Sequence, residues 1–273
     1  MSTQIKPFEI REPSAPAIPL LVSIPHTGTY VPDVIAAEFA SDYIRSLPMT
    51  DWHLHHLYDF LPALGATTIY ATHGRFVADL NRPPDDTPLY PGRFETGFVA
   101  LKTFWGEEIY RAPPSQEEVT RRHAMVYAPY HAKLLELIEA KIEQFGRVVL
   151  IDAHSVASRA NLLHGELKGQ IYLGDRDSRS CAPWLVDTVE QSFQKAKYTV
   201  TRNQPYKGGY ITAHYGTLQQ VEALQIEMCE RVYMDEDDPA GALIHPNFSS
   251  TKAHVRAVIE TVGAEIVRQQ AGW

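Results

Sequence analysis

Five short runs of apolar and β-branched residues, at 19–25, 67–72, 147–152, 170–174 and 223–229, are each bounded by turn residues and separated by stretches long enough to hold a helix. Such runs are the pattern of strands buried in a sheet. Ser115 with Glu118 three positions on forms a capping box, and Leu134, Leu135, Leu137, Ile138 and Ile142 recur at helical spacing until Gly146 stops the helix just before the third run. The segments after Cys181 and from Thr251 also read as helices. Strands alternating with helices imply an α/β fold, a three-layer sandwich whose central mixed, mostly parallel sheet is covered on both faces. With 44% hydrophobic residues in 273, the chain can fill one sizeable core, and residues 1–273 are read as a single domain.

Composition removes several classes of function. The net charge is −8, with 25 basic residues scattered among 33 acidic ones, so the footprint of a nucleic-acid binder is missing. Two cysteines, Cys181 and Cys229, are too few for a disulfide scaffold or a cysteine-based zinc knuckle, and they fit a reducing compartment. The first residues mix charges and prolines where a secretory signal needs an apolar stretch, and no run approaches a membrane span. A cytoplasmic protein with a small-molecule partner, and neither nucleic acid nor membrane, is the expectation. Pro-rich pieces at 83–91 and 111–114 bracket a long loop, and long loops are more often functional than idle.

In open α/β sheets ligands gather beyond the C-terminal strand ends. Two of the runs end in histidine: 19–25 leads into His26, and 147–152 leads into Ala153 and His154. Asp51 opens a segment, 50–65, that reads as a helix with Leu54, Leu57, Tyr58, Leu61 and Leu64 as its core stripe. It is either a first-turn carboxylate capped by Thr50 or an inward carboxylate in need of a partner such as a metal ion. His53, His55 and His56 spread around the same helix and cannot share one point. Alternation in the last run puts Gln225, Glu227 and Cys229 opposite Leu224, Ile226 and Met228, so Glu227 is either paired, for instance with Arg231, or a general base of raised pKa. Arg82 either clamps a substrate carboxylate or pairs with Asp79, Asp85 or Asp86 after a strand-like 75–78. The glycines and aromatics of 207–216 read as a loop that lets a ligand approach the backbone. The HExxH, GxSxG, Walker A and GxGxxG motifs are absent, and Ser155 beside His154 does not make a serine hydrolase.

Taken together, SIPHTGTYVP at 23–32, TDWHLHHLYD at 50–59, DLNRPP at 79–84, LYPG at 89–92, DAHS at 152–155, KGGYITAHYG at 207–216, QIEM at 225–228 and YMDE at 233–236 resemble the N-formylglutamate amidohydrolase family. The resemblance runs from about residue 19 to 236 with the motifs in family order. It implies a fold similar to the zinc-dependent exopeptidases related to carboxypeptidases, and hydrolysis of N-formyl-L-glutamate to glutamate and formate in histidine breakdown. It also implies that His26, Asp51 and His154 hold Zn2+ or another divalent metal, with Glu227 as catalytic base and Arg82 holding a substrate carboxylate or polarising the carbonyl. Asn81, Lys207, Gly208 and Gly209 are then candidates for substrate binding, with Tyr210 and His214 lining the pocket. The rival readings are a carboxypeptidase-like or aspartoacylase-like amidase for another N-acyl amino acid, and a non-catalytic binding protein.

Overall fold

A computed structural model of the chain describes residues 5–270. Its strands are β1 Phe8–Arg11, β2 Leu20–Ile24, β3 Thr67–Ala71, β4 Val148–Val156, β5 Ile171–Gly174, β6 Val200–Arg202 and β7 Val221–Cys229. They form one sheet in the order β1-β3-β2-β4-β7-β5-β6. β3, β2, β4 and β7 run parallel, β1 lies antiparallel on the β3 edge, and β5 with β6 runs antiparallel to β7. The mixed, mostly parallel sheet therefore follows the expectation. The short outer strands β1 and β6 carry no apolar run and were not anticipated.

The helices are α1 Asp33–Ala36, α2 Asp42–Arg45, α3 Leu54–Leu57, α4 Gln116–Arg122, α5 Ala128–Phe145, α6 Pro183–Lys195, α7 Tyr210–Tyr215 and α8 Pro246–Gln270. Ser115 caps α4 by accepting the Glu118 N–H, a π-turn at His123–Tyr127 joins α4 to α5, and Gly146 ends α5 in the left-handed region at φ 78°. Side chains alternate between two cores. Leu20, Val22, Ile24, Val149, Ile151, Leu224 and Ile226 pack on α3, α6 and α8, while Leu21, Ile69, Val148, Leu150 and Ala223 pack on Tyr130, Leu134 and Ile138 of α5 and Ile211 of α7. That is the three-layer sandwich. The 83–114 stretch holds no helix or extended strand, yet Phe98, Phe104 and Tyr110 are buried in the second core, and the buried Arg122 donates to the Tyr110 hydroxyl at 2.7 Å. Both cysteines are free thiols. No helix of the described residues is long and apolar enough to cross a membrane.

Three local expectations fail for backbone reasons. Residues 50–65 do not make one helix: His53 takes a left-handed φ of 57°, so only the four residues of α3 follow it, then a separate 3-10 turn at Leu61–Leu64 containing Pro62. Asp51 thus precedes any helix, and Thr50 is not its cap. Residues 75–78 form turns rather than a strand, and 207–216 is a loop only as far as Gly209, after which α7 begins. Leu224 of β7 is fully buried, whereas Ile244 is 89% exposed. Urea unfolding of Leu224→Ala should show a loss of about 2–5 kcal/mol, against less than about 0.5 kcal/mol for Ile244→Ala.

Candidate functional site

Parallel pairing of β4 with β7 sets Asp152 opposite Gln225 and His154 opposite Glu227. All four belong to the face that carries Leu150 and Ala223 deeper in the sheet, so the second core turns polar at the C-terminal strand ends. His26 lies two residues past β2, the neighbour of β4, and its ring centroid is 4.9 Å from that of His154. Asp51 reaches the same point from the turn before α3. Its N–H donates to the His26 carbonyl at 3.1 Å, and its Oδ2 accepts the Ser155 N–H at 3.1 Å and lies 3.1 Å from His154 Nδ1.

Each imidazole is held from behind by a second buried carboxylate. His26 Nε2 lies 2.7 Å from Asp79 Oδ1, which also accepts the Asn81 N–H, and His154 Nε2 lies 3.0 Å from Asp152 Oδ1. Asp79 fixes the orientation of the His26 ring, Asp152 and the Asn81 amide nitrogen, 2.8 Å from Nε2, fix that of His154, and both Nδ1 atoms face Asp51. One donor atom from each of His26, Asp51 and His154 lies within 4.8 Å of the others, and all three residues are buried. Two imidazoles and a carboxylate so placed form a donor set that could hold a metal ion. Burial, then the Arg75 cation, lowers the pKa of His26, which keeps its Nδ1 lone pair free. For His154, burial works against the charged ring, but Asp152 and Asp51 outweigh it and raise the pKa well above the usual value. Asp51 remains ionised because its histidine neighbours overcome the cost of burial.

Glu227 stands on the β7 side of this cluster and accepts a hydrogen bond from Gln225 Nε2 at 2.9 Å. Burial pushes its pKa up to about 8, with Asp51 adding to the rise and His154 opposing it. It has no pair with Arg231, whose guanidinium donates to the carbonyls of Lys168 and Gly169. Arg82 makes no ion pair among the described residues either; it donates to the carbonyls of Thr96 and Asn81 at 3.0 Å and lines the pocket. Asn81 is a joint: its Oδ1 accepts the Ile211 N–H at the start of α7, and its Nδ2 donates to Asp152 Oδ2 at 3.2 Å. Gly209 packs so closely on it that a β-carbon there would lie 2.4 Å from the amide.

The cavity, of about 60 Å³, is lined by the cluster, Glu227, Gln225, Asn81, Arg82 and Gly209, and by Arg75, Tyr206 and Ser155, with Tyr90, Glu95 and Phe104 contributed by the 83–114 stretch. Four of the residues named from the sequence stand outside that lining. Lys207 pairs with Asp177 at 2.8 Å on the surface, the Gly208 carbonyl accepts from Tyr90 and Arg176, and Tyr210 stacks on the exposed His214 along α7. The helical turns of α7 carry the last two away from the cavity. Among the neighbouring histidines, His55 is taken by Thr27 Oγ1 at 2.7 Å and His53 by the Pro239 carbonyl, and neither joins the cluster. Sequence reasoning missed Arg75, which binds Asp79 Oδ2 at 2.7 Å and lies over the Phe104 ring. A polar residue in a turn gives no signal of its burial. Ser155 has its hydroxyl engaged by Tyr233.

Known proteins resemble this chain in sequence and in fold. The family model described as N-formylglutamate amidohydrolase matches residues 18–234. The N-formylglutamate deformylase of Pseudomonas aeruginosa is 39% identical over 250 residues, which span 90% of this chain and 92% of that protein. The N-formylglutamate deformylase of Pseudomonas putida is 39% identical over 227 residues, 81% of this chain and 84% of that one. The crystal structure of N-formylglutamate amidohydrolase from Ralstonia eutropha JMP134 superposes with a TM-score of 0.83 at 29% identity, covering 97% of this chain and all of the other. With the family model spanning most of its length and two relatives 39% identical over 81% and 90% of it, the chain belongs to the N-formylglutamate amidohydrolase family.

Proposed function

We propose that this chain is a cytoplasmic, metal-dependent amidohydrolase that converts N-formyl-L-glutamate and water to L-glutamate and formate, a step of histidine breakdown. His26, Asp51 and His154 would hold the cation, with zinc the metal their donor set suits best. The observation that carries the reading is the convergence of those three donors beside a buried, unpaired glutamate at one end of the sheet, in a member of this family.

A divalent cation held by His26, Asp51 and His154 would supply Lewis acidity for a water nucleophile and for the formyl carbonyl. Glu227 is the general base: it takes the proton of the attacking water and returns it to the leaving amine. Gln225 holds its carboxylate in place by donating from Nε2. Arg75, fixed by Asp79, is a second buried cation on the cavity wall and opposes the negative charge that develops on the former formyl oxygen. Arg82 uses two of its donors on backbone carbonyls and presents its charge to a substrate carboxylate, while the Gly209 edge admits the substrate close to the backbone.

The direct test is formate release from N-formyl-L-glutamate, run beside N-acetyl-L-aspartate and a peptide with a free C-terminus. The expected result is chelator-sensitive turnover confined to the formyl substrate; turnover of either rival substrate alone would overturn the assignment. Glu227→Gln should keep the cation of the wild type and lose about 10²–10⁴-fold in kcat, whereas His154→Ala should lose the cation as well. Equal cation loss in the two variants, read by elemental analysis, would contradict the separate roles. Asp79→Asn should weaken cation affinity by about 10–100-fold through His26 without removing a ligand, measured by competition with a chromophoric chelator.

A further inference from the structure

Among the side chains that line the cavity, two carry a buried polar atom with no hydrogen-bond partner among the described residues: Arg75 Nε and the Tyr206 hydroxyl. Arg75 is otherwise committed to Asp79 and the Met49 carbonyl, but Tyr206 has its only polar group unspent. Its ring is held in place, edge-to-face against Tyr172 at 5.9 Å and against His164 at 5.7 Å, so the hydroxyl has a defined position without being tied to anything. Native proteins seldom leave a buried hydroxyl without a partner, and one that lines a ligand cavity is free for the ligand.

The order of strands says which part of the ligand it meets. His26 and His154 stand on the β2 and β4 side of Glu227, while Tyr206 follows β6 and packs on Tyr172 of β5, the residue opposite Glu227 in register. The hydroxyl therefore lies across the base from the three cation donors, facing the part of the substrate remote from the scissile bond. We propose that the Tyr206 hydroxyl is a substrate-binding and specificity-determining group, donating a hydrogen bond to a carboxylate of the acidic amino acid moiety. The proposal rests on the amidohydrolase reading above and deepens it. Burial, with Glu227 next in effect, raises the phenol's pKa well above its ordinary value, so the group remains a donor at every working pH.

The test is Tyr206→Phe, assayed for formate release from N-formyl-L-glutamate and titrated calorimetrically with L-glutamate, both beside the wild type. A hydrogen bond to a carboxylate made alike in ground and transition state predicts a rise of about 10- to 100-fold in KM and in the L-glutamate Kd, with kcat within about threefold. The cation content and Tm should match the wild type, because no hydrogen bond within the protein is lost. A KM and Kd within twofold of the wild type, or a Tm lowered by several degrees, would overturn the proposal. Wild-type protein that binds L-glutamate but releases no formate would refute the reaction and leave the Kd ratio to judge Tyr206. Wild-type protein that does not bind L-glutamate at all would refute the role given to Tyr206.

Discussion

Parallel pairing of β4 on β7, with His154 opposite Glu227, is the constraint on which the rest of the site depends. A one-residue slip of β7 against β4 would turn Glu227 into the apolar layer under α6 and α8 and bring Ile226 to the cavity in its place. The nine-residue lengths of the two strands secure the register, since their lower halves bury Val149, Ile151 and Leu224 on one face and Val148, Leu150 and Ala223 on the other. The chemistry at the strand ends is thus aligned by apolar packing further down the same strands.

Placing so many ionisable groups out of water is unfavourable unless each has a partner. Asp79 binds both His26 and Arg75, Asp152 accepts from Thr212 and Asn81 as it holds His154, and Asp51 takes a backbone N–H as well as a ring. The network fixes the orientation of both rings, and it reaches outward through Asn81 to the start of α7 and through Arg75 to Phe104. Glu227 is the exception, with one amide donor and, among the described residues, no ion pair.

The sheet, its helical cover and both strand-end histidines were legible because burial on two faces leaves a run of apolar residues that polar side chains visibly interrupt. Asp51 was located in sequence, but its route to the site was not, since nothing in TDWHLHH announces the left-handed His53 that stops the helix from starting early. Arg75 lay hidden because turns bury polar residues without periodicity. Lys207 and His214 were grouped with the pocket by their nearness to Gly208 and Gly209, yet the chain turns at Gly209 into α7 and carries His214 to the surface, while Lys207 finds Asp177. Tyr206 sits beside that motif in sequence and gives no sign of an unpartnered hydroxyl, which only the packing of Tyr172 and His164 around it reveals.

Three separated stretches of chain, carrying His26, Asp51 and His154, each bring one donor to the proposed cation site. X-ray absorption at the zinc edge of the zinc-loaded protein reads those donors. One zinc per chain is expected, with two imidazole ligands and otherwise oxygen neighbours, reduced to one imidazole in His26→Ala. A spectrum with sulfur ligands, or one unchanged by that substitution, would contradict it.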